Sequence, residues 1–313
     1  MYSIQVISEA IAGRFVQQAG NATISYLLHD SRRVQVASES LFFALVTAGN
    51  DGHHFLAQAH KGGIRNFIVQ RPVDVTALPE SNIIQVRNTL QALQQLARFH
   101  RKHFQIPILG ITGSNGKTVV KEWLYQLLQD DYHIVRSPKS FNSQIGVPLS
   151  VWQLAEQHTM GIFEAGISQP GEMAQLEEII RPTIGILTNI GAAHDEGFVS
   201  QKQKLYEKLN LFQHAAVVIG SHELLRENVP AEKLFSWSKA SGATVQLTQV
   251  DMAKEGAVIS LLHGGKLFQI PIPFSDKASV ENAVTCACVL LYLKQNLDEK
   301  KTAFAALHAV DMR

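Results

Sequence analysis

The chain is poor in the features that mark several large protein classes. Only two cysteines occur, Cys286 and Cys288, in 313 residues. That excludes a disulfide-stapled secreted scaffold and a zinc site built from four cysteines. The two thiols are expected to act as small buried hydrophobes. No long hydrophobic run exists: the longest strongly apolar stretch is 283–293, and a membrane helix needs about 20 residues. The N-terminus, MYSIQVISEAIAG, lacks a basic leader and carries Glu9 where a signal peptide would be apolar. An excess of charge is also missing. Lys plus Arg is 28, Asp plus Glu is 27, and the net charge is +1. Bulk electrostatics therefore offer nothing to nucleic acid or to a membrane surface. Repeats and low-complexity tracts are absent as well. A hydrophobic content of 46% against 18% charged residues gives material for packed cores and too little charge for disorder. At about 150 residues per domain, the length suggests a two-domain cytoplasmic protein.

Apolar runs at residues 41–45, 64–69 and 83–86, each bounded by turn-forming residues, read as strands. Asn88 caps a helical pattern carrying Leu90, Leu93, Leu96 and Ala97. That helix runs into Arg101, Lys102 and His103, which suit its C-terminus. A boundary is expected at Ile106-Pro107, giving domains 1–105 and 106–313. In the second, strands are expected at 108–111, 162–165, 184–190 and 216–219. Helices are expected at 118–128, 173–180, 202–212 and 280–293. Alternating strands and helices imply a mostly parallel sheet covered on both faces. Residues 244–274 look antiparallel, with a turn at His263-Gly264-Gly265. In helix 202–212 the apolar stripe is Leu205, Leu209 and Phe212, flanked by Lys202 and Lys208.

Chemistry concentrates in Gly110-Ile-Thr-Gly-Ser-Asn-Gly-Lys-Thr118, between an expected strand and an expected helix. Glycines let successive N–H groups turn towards phosphate oxygens, and the helix adds its positive end. Lys117 would neutralise terminal phosphates, and the Thr118 hydroxyl would reach Mg²⁺. The usual pattern has a glycine where Ile111 stands, so this loop is a variant, with Gly110 and Gly113 nearby.

The loop resembles the shortened phosphate loop of the Mur ligases, and further segments match in the family's order. These are Phe141-Asn142-Ser143-Gln144-Ile145-Gly146-Val147-Pro148, Glu164 to Met173, and Thr188-Asn189 through His194 to Phe198. In the first domain, Asp30-Ser31-Arg32 and Asp51-Gly-His-His-Phe55 resemble the part that holds a uridine nucleotide. The Ala-Ala-His-x-Glu-Gly-Phe run and the Gly-Glu-Met element are closest to the members that join D-alanyl-D-alanine to UDP-N-acetylmuramoyl-tripeptide. The resemblance implies an N-terminal uridine-nucleotide-binding α/β domain and a central P-loop-type domain with a mostly parallel, helix-covered sheet. It implies an ATP-dependent amide ligase of peptidoglycan precursor synthesis that works through an acyl phosphate, as a cytoplasmic monomer.

Residue by residue, the resemblance places Gly113, Ser114, Asn115, Gly116, Lys117, Thr118, Asn189 and Asn282 at ATP. It places Ser31, Arg32 and Asn142 at the substrate. Thr118, Glu164, His194 and Lys208 fall at Mg²⁺, with Lys117, Glu164, His194 and Lys208 catalytic. Lys208 matches the family's carbamylated lysine, fourteen residues after the motif histidine. Two departures stand out. Ala278-Ser279 occupy the place of a His-Asn pair that the family carries before Asn282. The family also has a third, C-terminal domain, and the chain ends about where that would begin. That leads to the expectation of a piece of a longer polypeptide, of which a fusion to an alanine racemase is one form, that binds the UDP-precursor, binds ATP weakly and shows little or no ligation. Two other readings compete: a different Mur-like ligase such as a folylpolyglutamate synthase, and a non-catalytic nucleotide-binding module. Residues 1–105 argue against the first, and the metal-type set of Glu164, His194 and Lys208 against the second.

Overall fold

A computed structural model describes residues 1–32, 36–191 and 197–310. The chain divides into two compact units, Met1–His103 and Phe104–Arg313.

The first unit is built on a five-stranded sheet. Its order is Arg14–Gln17, Asn82–Gln85, Asn66–Val69, Ser40–Phe43, Tyr26–Leu28. Only the Arg14–Gln17 edge is antiparallel. Ser40–Phe43 and Asn66–Val69 are buried at every position, as central strands covered on both faces must be. The helix Thr89–Arg101 begins where the Asn88 side chain accepts from Gln91 N at 2.9 Å. It ends with Arg98, His100 and Arg101 in its last turn, where cations meet the negative helix end. Three elements of this unit are silent in the hydrophobic pattern: the half-exposed strand Arg14–Gln17, and the short helices Ile4–Ala10 and Leu56–Lys61.

The second unit carries one nine-stranded sheet. In spatial order it runs Ile134–Arg136, Met160–Glu164, Ile108–Thr112, Ile184–Leu187, Val217–Ser221, Leu234–Ser238, Val245–Ala253, Gly256–His263, Lys266–Ile272. The first seven are mutually parallel. The last two add antiparallel pairings, so the hairpin region extends the main sheet instead of forming its own. Both faces are covered. Leu109 and Ile111 join a core with Val120, Trp123 and Leu124 of the helix Lys117–Leu128, and with Cys286 and Val289 of the helix Lys277–Tyr292. Gly110 points the other way by strand alternation. A Cβ there would come within 2.7 Å of Pro182 and 3.6 Å of Leu211, so that face is packed as tightly. Both cysteines are fully buried, and burial pushes both thiols up. No helix among the described residues is long and apolar enough to cross a membrane.

Helix Gln201–Leu209, continued by a 3-10 turn Asn210–Phe212, departs from the expected stripe. Its buried residues are Lys204 and Lys208, while Leu205 and Leu209 are half-buried. The cause is what the helix packs against: backbone carbonyls of the phosphate loop and its neighbour, which accept from ammonium groups and not from leucines.

Candidate nucleotide and metal site

The parallel strands Ile108–Thr112, Met160–Glu164 and Ile184–Leu187 end side by side. Their C-terminal ends deliver residues 113–116, 164–165 and 188–191 to one edge, where open α/β sheets bind ligands. Gly113 has φ +147°, and a Cβ there would lie 1.9 Å from Thr188 Oγ1. Gly116, at φ +81°, caps the helix Lys117–Leu128; a Cβ would come within 2.5 Å of Asn282 Oδ1. Asn282, 8% exposed, therefore lies against the loop.

Asn189 braces this loop from the adjacent strand end. Its carbonyl accepts from Ser114 N and its Oδ1 from Asn115 N, both at 2.9 Å. Ser114 Oγ donates to Gly191 O at 3.1 Å and accepts from Gly191 N at 3.0 Å. Thr188 Oγ1 donates to Asn115 O at 2.6 Å. Two loop amides expected to face phosphate are thus engaged by Asn189. The first-turn amides after Gly116, which have no intrahelical acceptor and no capping side chain, are the ones directed outward.

Four lysines lie around the loop and the two strand ends beside it. Lys117 Nζ donates to Gly113 O at 2.9 Å and to Ser114 O at 3.3 Å. Lys208 Nζ donates to the same Gly113 O at 3.1 Å. Lys204 Nζ donates to Gly191 O at 2.7 Å. Burial lowers the Lys117 pKa; Glu164 opposes that and Lys204 adds to it. Burial, then Lys117, then Lys204 push Lys208 down to about 7.

The fourth, Lys121, serves the acid. Glu164 is fully buried at its strand end. Its Oε2 accepts from Thr118 Oγ1 at 3.0 Å, and Lys121 Nζ lies 2.9 Å from Oε1. That approach is an ion pair without hydrogen-bond alignment, so Oε1 is a buried oxygen lacking an aligned donor. Lys121 itself donates to Ser137 O at 2.7 Å and to Lys139 O. Asn142 sits against Gly166, just past Glu164: a Cβ on Gly166 would be 3.0 Å from the Asn142 amide.

The oxygens present suit a hard cation. A hydroxyl and a carboxylate oxygen stand 3.0 Å apart at the helix N-terminus, and the carboxylate keeps an oxygen without an aligned donor. Mg²⁺ takes this kind of set, completing its shell with phosphates and water. Among the described residues no cluster of three or more His, Cys, Asp or Glu exists. His194 lies outside the described residues.

In the first unit, Arg32 is exposed and forks onto Asp30, with Nε to Oδ1 and Nη2 to Oδ2 both at 2.9 Å. Ser31 is half-buried beside it. Asp51 is held below the usual carboxylate range, first by the His53 backbone amide and then by its ring. His53 Nδ1 donates to Asp51 at 2.6 Å, while Nε2 accepts from Gln70 N at 3.1 Å.

Sequence reasoning missed Lys121 and Lys204. The available signal was spacing: Lys117 and Lys121, like Lys204 and Lys208, are four apart and share a helix face.

A strand, a glycine-rich turn, a Lys-Thr pair opening a helix and a carboxylate on the neighbouring strand define a nucleotide-binding α/β protein of the P-loop type. More particularly, the chain belongs to the Mur ligase family: the family's middle-domain model matches residues 111–290. It is therefore an ATP-dependent ligase. A UDP-N-acetylmuramoyl-tripeptide–D-alanyl-D-alanine ligase of Treponema pallidum is 28% identical over 99% of the chain and 71% of its own length. MurF from Acinetobacter baumannii superposes with a TM-score of 0.86 at 24% identity, covering 98% of this chain and 68% of that one. The MurF ligase of Thermotoga maritima, solved with ADP, gives 0.81 at 25% identity, covering 91% and 66%.

Proposed function

We propose that this protein joins D-alanyl-D-alanine to UDP-N-acetylmuramoyl-tripeptide, making a peptidoglycan precursor in the cytoplasm as a monomer. The observation that carries the reading is the buried Thr118–Glu164 pair at the phosphate loop, with Lys117 and Lys208 sharing Gly113 O. A module that merely held a nucleotide would have no need to bury a carboxylate against that hydroxyl. The named relative supports the choice of substrates.

A carboxylate resists attack by an amine, so ATP first converts it to an acyl phosphate; the amine then adds and phosphate leaves. The chain's residues position groups and offset charge for this. Lys117 leaves its loop carbonyls for the terminal phosphates. The first-turn amides after Gly116 hold phosphate oxygens. Asn189 keeps the loop rigid, and Ser114 and Asn115 contribute through the shape that bracing gives. Asn282 lies beside the loop on the nucleotide side. Thr118 and Glu164 would hold Mg²⁺, which supplies charge neutralisation on the phosphates; His194 would serve a second ion. Lys208 is carbamylated. An ammonium with a pKa near 7 yields the free amine that CO₂ requires, and the product is an oxygen-bearing anion. Asn142, beside Gly166, meets the acceptor substrate. Residues 1–105, with Ser31 and Arg32, hold the uridine nucleotide, where the guanidinium fork exchanges Asp30 for phosphate.

Calorimetric titration tests the division of labour. Arg32→Ala should weaken UDP-N-acetylmuramoyl-tripeptide and leave MgATP unchanged. Equal loss of both ligands, or of neither, would remove the uridine assignment.

A further inference from the structure

One exposed arginine of the first unit stands on a holder that no step described so far uses. Arg71 follows the strand Asn66–Val69 by two residues, and its Nη1 donates to Asp51 Oδ2. Asp51 Oδ1 accepts from His53 N at 3.0 Å and from His53 Nδ1 at 2.6 Å. His53 Nε2 accepts from Gln70 N at 3.1 Å. That amide can only donate, so the ring proton sits on Nδ1 and the imidazole is neutral. Arg71 is therefore the cation that meets Asp51 among the described residues. Gln70 Oε1 accepts from Thr89 N at 2.9 Å, at the start of the helix Thr89–Arg101. The backbone before Arg71 is thus fixed through Gln70, and its guanidinium through Asp51. Only Nη1 has an acceptor among the described residues. Nε and Nη2, the edge that forks onto phosphate, remain. A lone exposed arginine–carboxylate pair adds little to stability, so the fold gains little from holding Arg71 this way.

The strand before Arg71 and the strand Tyr26–Leu28, which leads to Arg32, run parallel on either side of Ser40–Phe43. Their C-terminal ends stand two strand spacings apart, about 10 Å, at the edge where open α/β sheets take ligands. Asp51 lies between them. The next residue, Gly52, donates its N–H to Leu45 O at 2.7 Å, two residues past the middle strand. Bonding to Asp51 therefore leans Arg71 towards the middle strand, on the side of Arg32. We propose that Arg71 and Arg32 clasp the diphosphate of the uridine nucleotide from two sides, a proposal that rests on the uridine reading above. Arg71 keeps Nη1 on Asp51 and offers its Nε–Nη2 edge to phosphate oxygens, so it is set before the ligand arrives. Arg32 has both fork nitrogens on Asp30 and must release them. A nucleoside without phosphates gains nothing from Arg71.

The test compares UDP with uridine on the whole chain. UDP is titrated by calorimetry, and uridine is followed by ligand-observed ¹H NMR, which reads millimolar affinities. Wild type, Arg71→Met and the double variant Arg71→Met with Asp51→Asn are compared, with thermal unfolding run alongside. Arg71→Met should bind UDP about tenfold more weakly or worse, the loss of a charged hydrogen bond, and uridine as wild type does. Adding Asp51→Asn should not restore UDP, because the missing contact and not a bare carboxylate causes the loss. Should Arg71→Met not fold, Arg71→Gln is read the same way. Unchanged UDP affinity, equal loss of UDP and uridine, or restoration by Asp51→Asn each overturns the role of Arg71 and leaves the uridine reading standing. Wild type that takes up neither UDP nor uridine overturns both.

Discussion

Glu164 depends on two neighbours. Its side chain is fully buried, with Lys121 as the adjacent cation and Thr118 as hydroxyl donor. Removing one partner of a buried pair leaves an uncompensated charge, at about 3–5 kcal/mol. Lys121→Met should therefore lower unfolding free energy by about that amount in urea titrations. Adding Glu164→Gln to it should restore most of the loss. A Lys121→Met protein as stable as wild type would mean that Glu164 is not held as an ion there. Lys208 provides the pH-dependent counterpart. Its folded pKa lies near 7, against a reference of 10.5. Between those values the unfolded chain holds the proton and the folded chain does not, so stability rises with pH across that window. In CO₂-free buffer, Lys208→Met should be more stable than wild type near pH 7, with the difference shrinking towards pH 10. A difference independent of pH would show that the buried amine does not titrate as stated. Lys117 and Thr118 were legible in the sequence because a Lys-Thr pair after glycines has one common physical use. Lys121 and Lys204 were not, because a lysine on an amphipathic helix ordinarily snorkels to solvent. Only the fold reveals that carbonyls of residues 137, 139 and 191 wait inside.

At the scale of elements, strand–loop–helix geometry is set by two glycines. Gly113 and Gly116 both have positive φ and leave no room for a Cβ. Gly116→Ala would strain the backbone and press Asn282, and Gly113→Ala would collide with Thr188. Each should weaken MgATP by tenfold or more, on the order of the 1–3 kcal/mol of strain such positions carry. Binding of the uridine precursor to the first unit should be unaffected; nucleotide affinity unchanged in both variants would mean that the loop does not touch phosphate. Helices with clear periodicity and capping signals, such as Thr89–Arg101, appeared close to their expected bounds. The strand expected at 184–190 stops at Leu187, because Thr188 to Gly191 turn to brace the phosphate loop. Ile134–Arg136 has only three residues, and Leu234–Ser238 is broken by serines, so neither forms an apolar run. They are recruited by the sheet beside them.

For the molecule as a whole, the proposed function assigns a different ligand to each of the two units. One is a mostly parallel sheet with a phosphate loop at its C-terminal edge; the other has a smaller sheet with Asp30 and Arg32 in the loop after its edge strand Tyr26–Leu28, and Asp51 in a separate two-stranded pairing. The mostly parallel, helix-covered sheet was legible in the alternation of apolar runs. The continuation of that sheet into the antiparallel hairpin was not, because a strand's pattern records its own two faces and not its neighbour. Calorimetric titration of the chain with MgATP and with UDP-N-acetylmuramoyl-tripeptide, for wild type and Lys117→Ala, tests the central claim most directly. The account predicts that wild type binds each ligand once. Lys117→Ala should lose about 1.5–3 kcal/mol for MgATP, the worth of a charged hydrogen bond, and nothing for the precursor. Failure of wild type to bind the precursor, or MgATP affinity indifferent to Lys117, would contradict it.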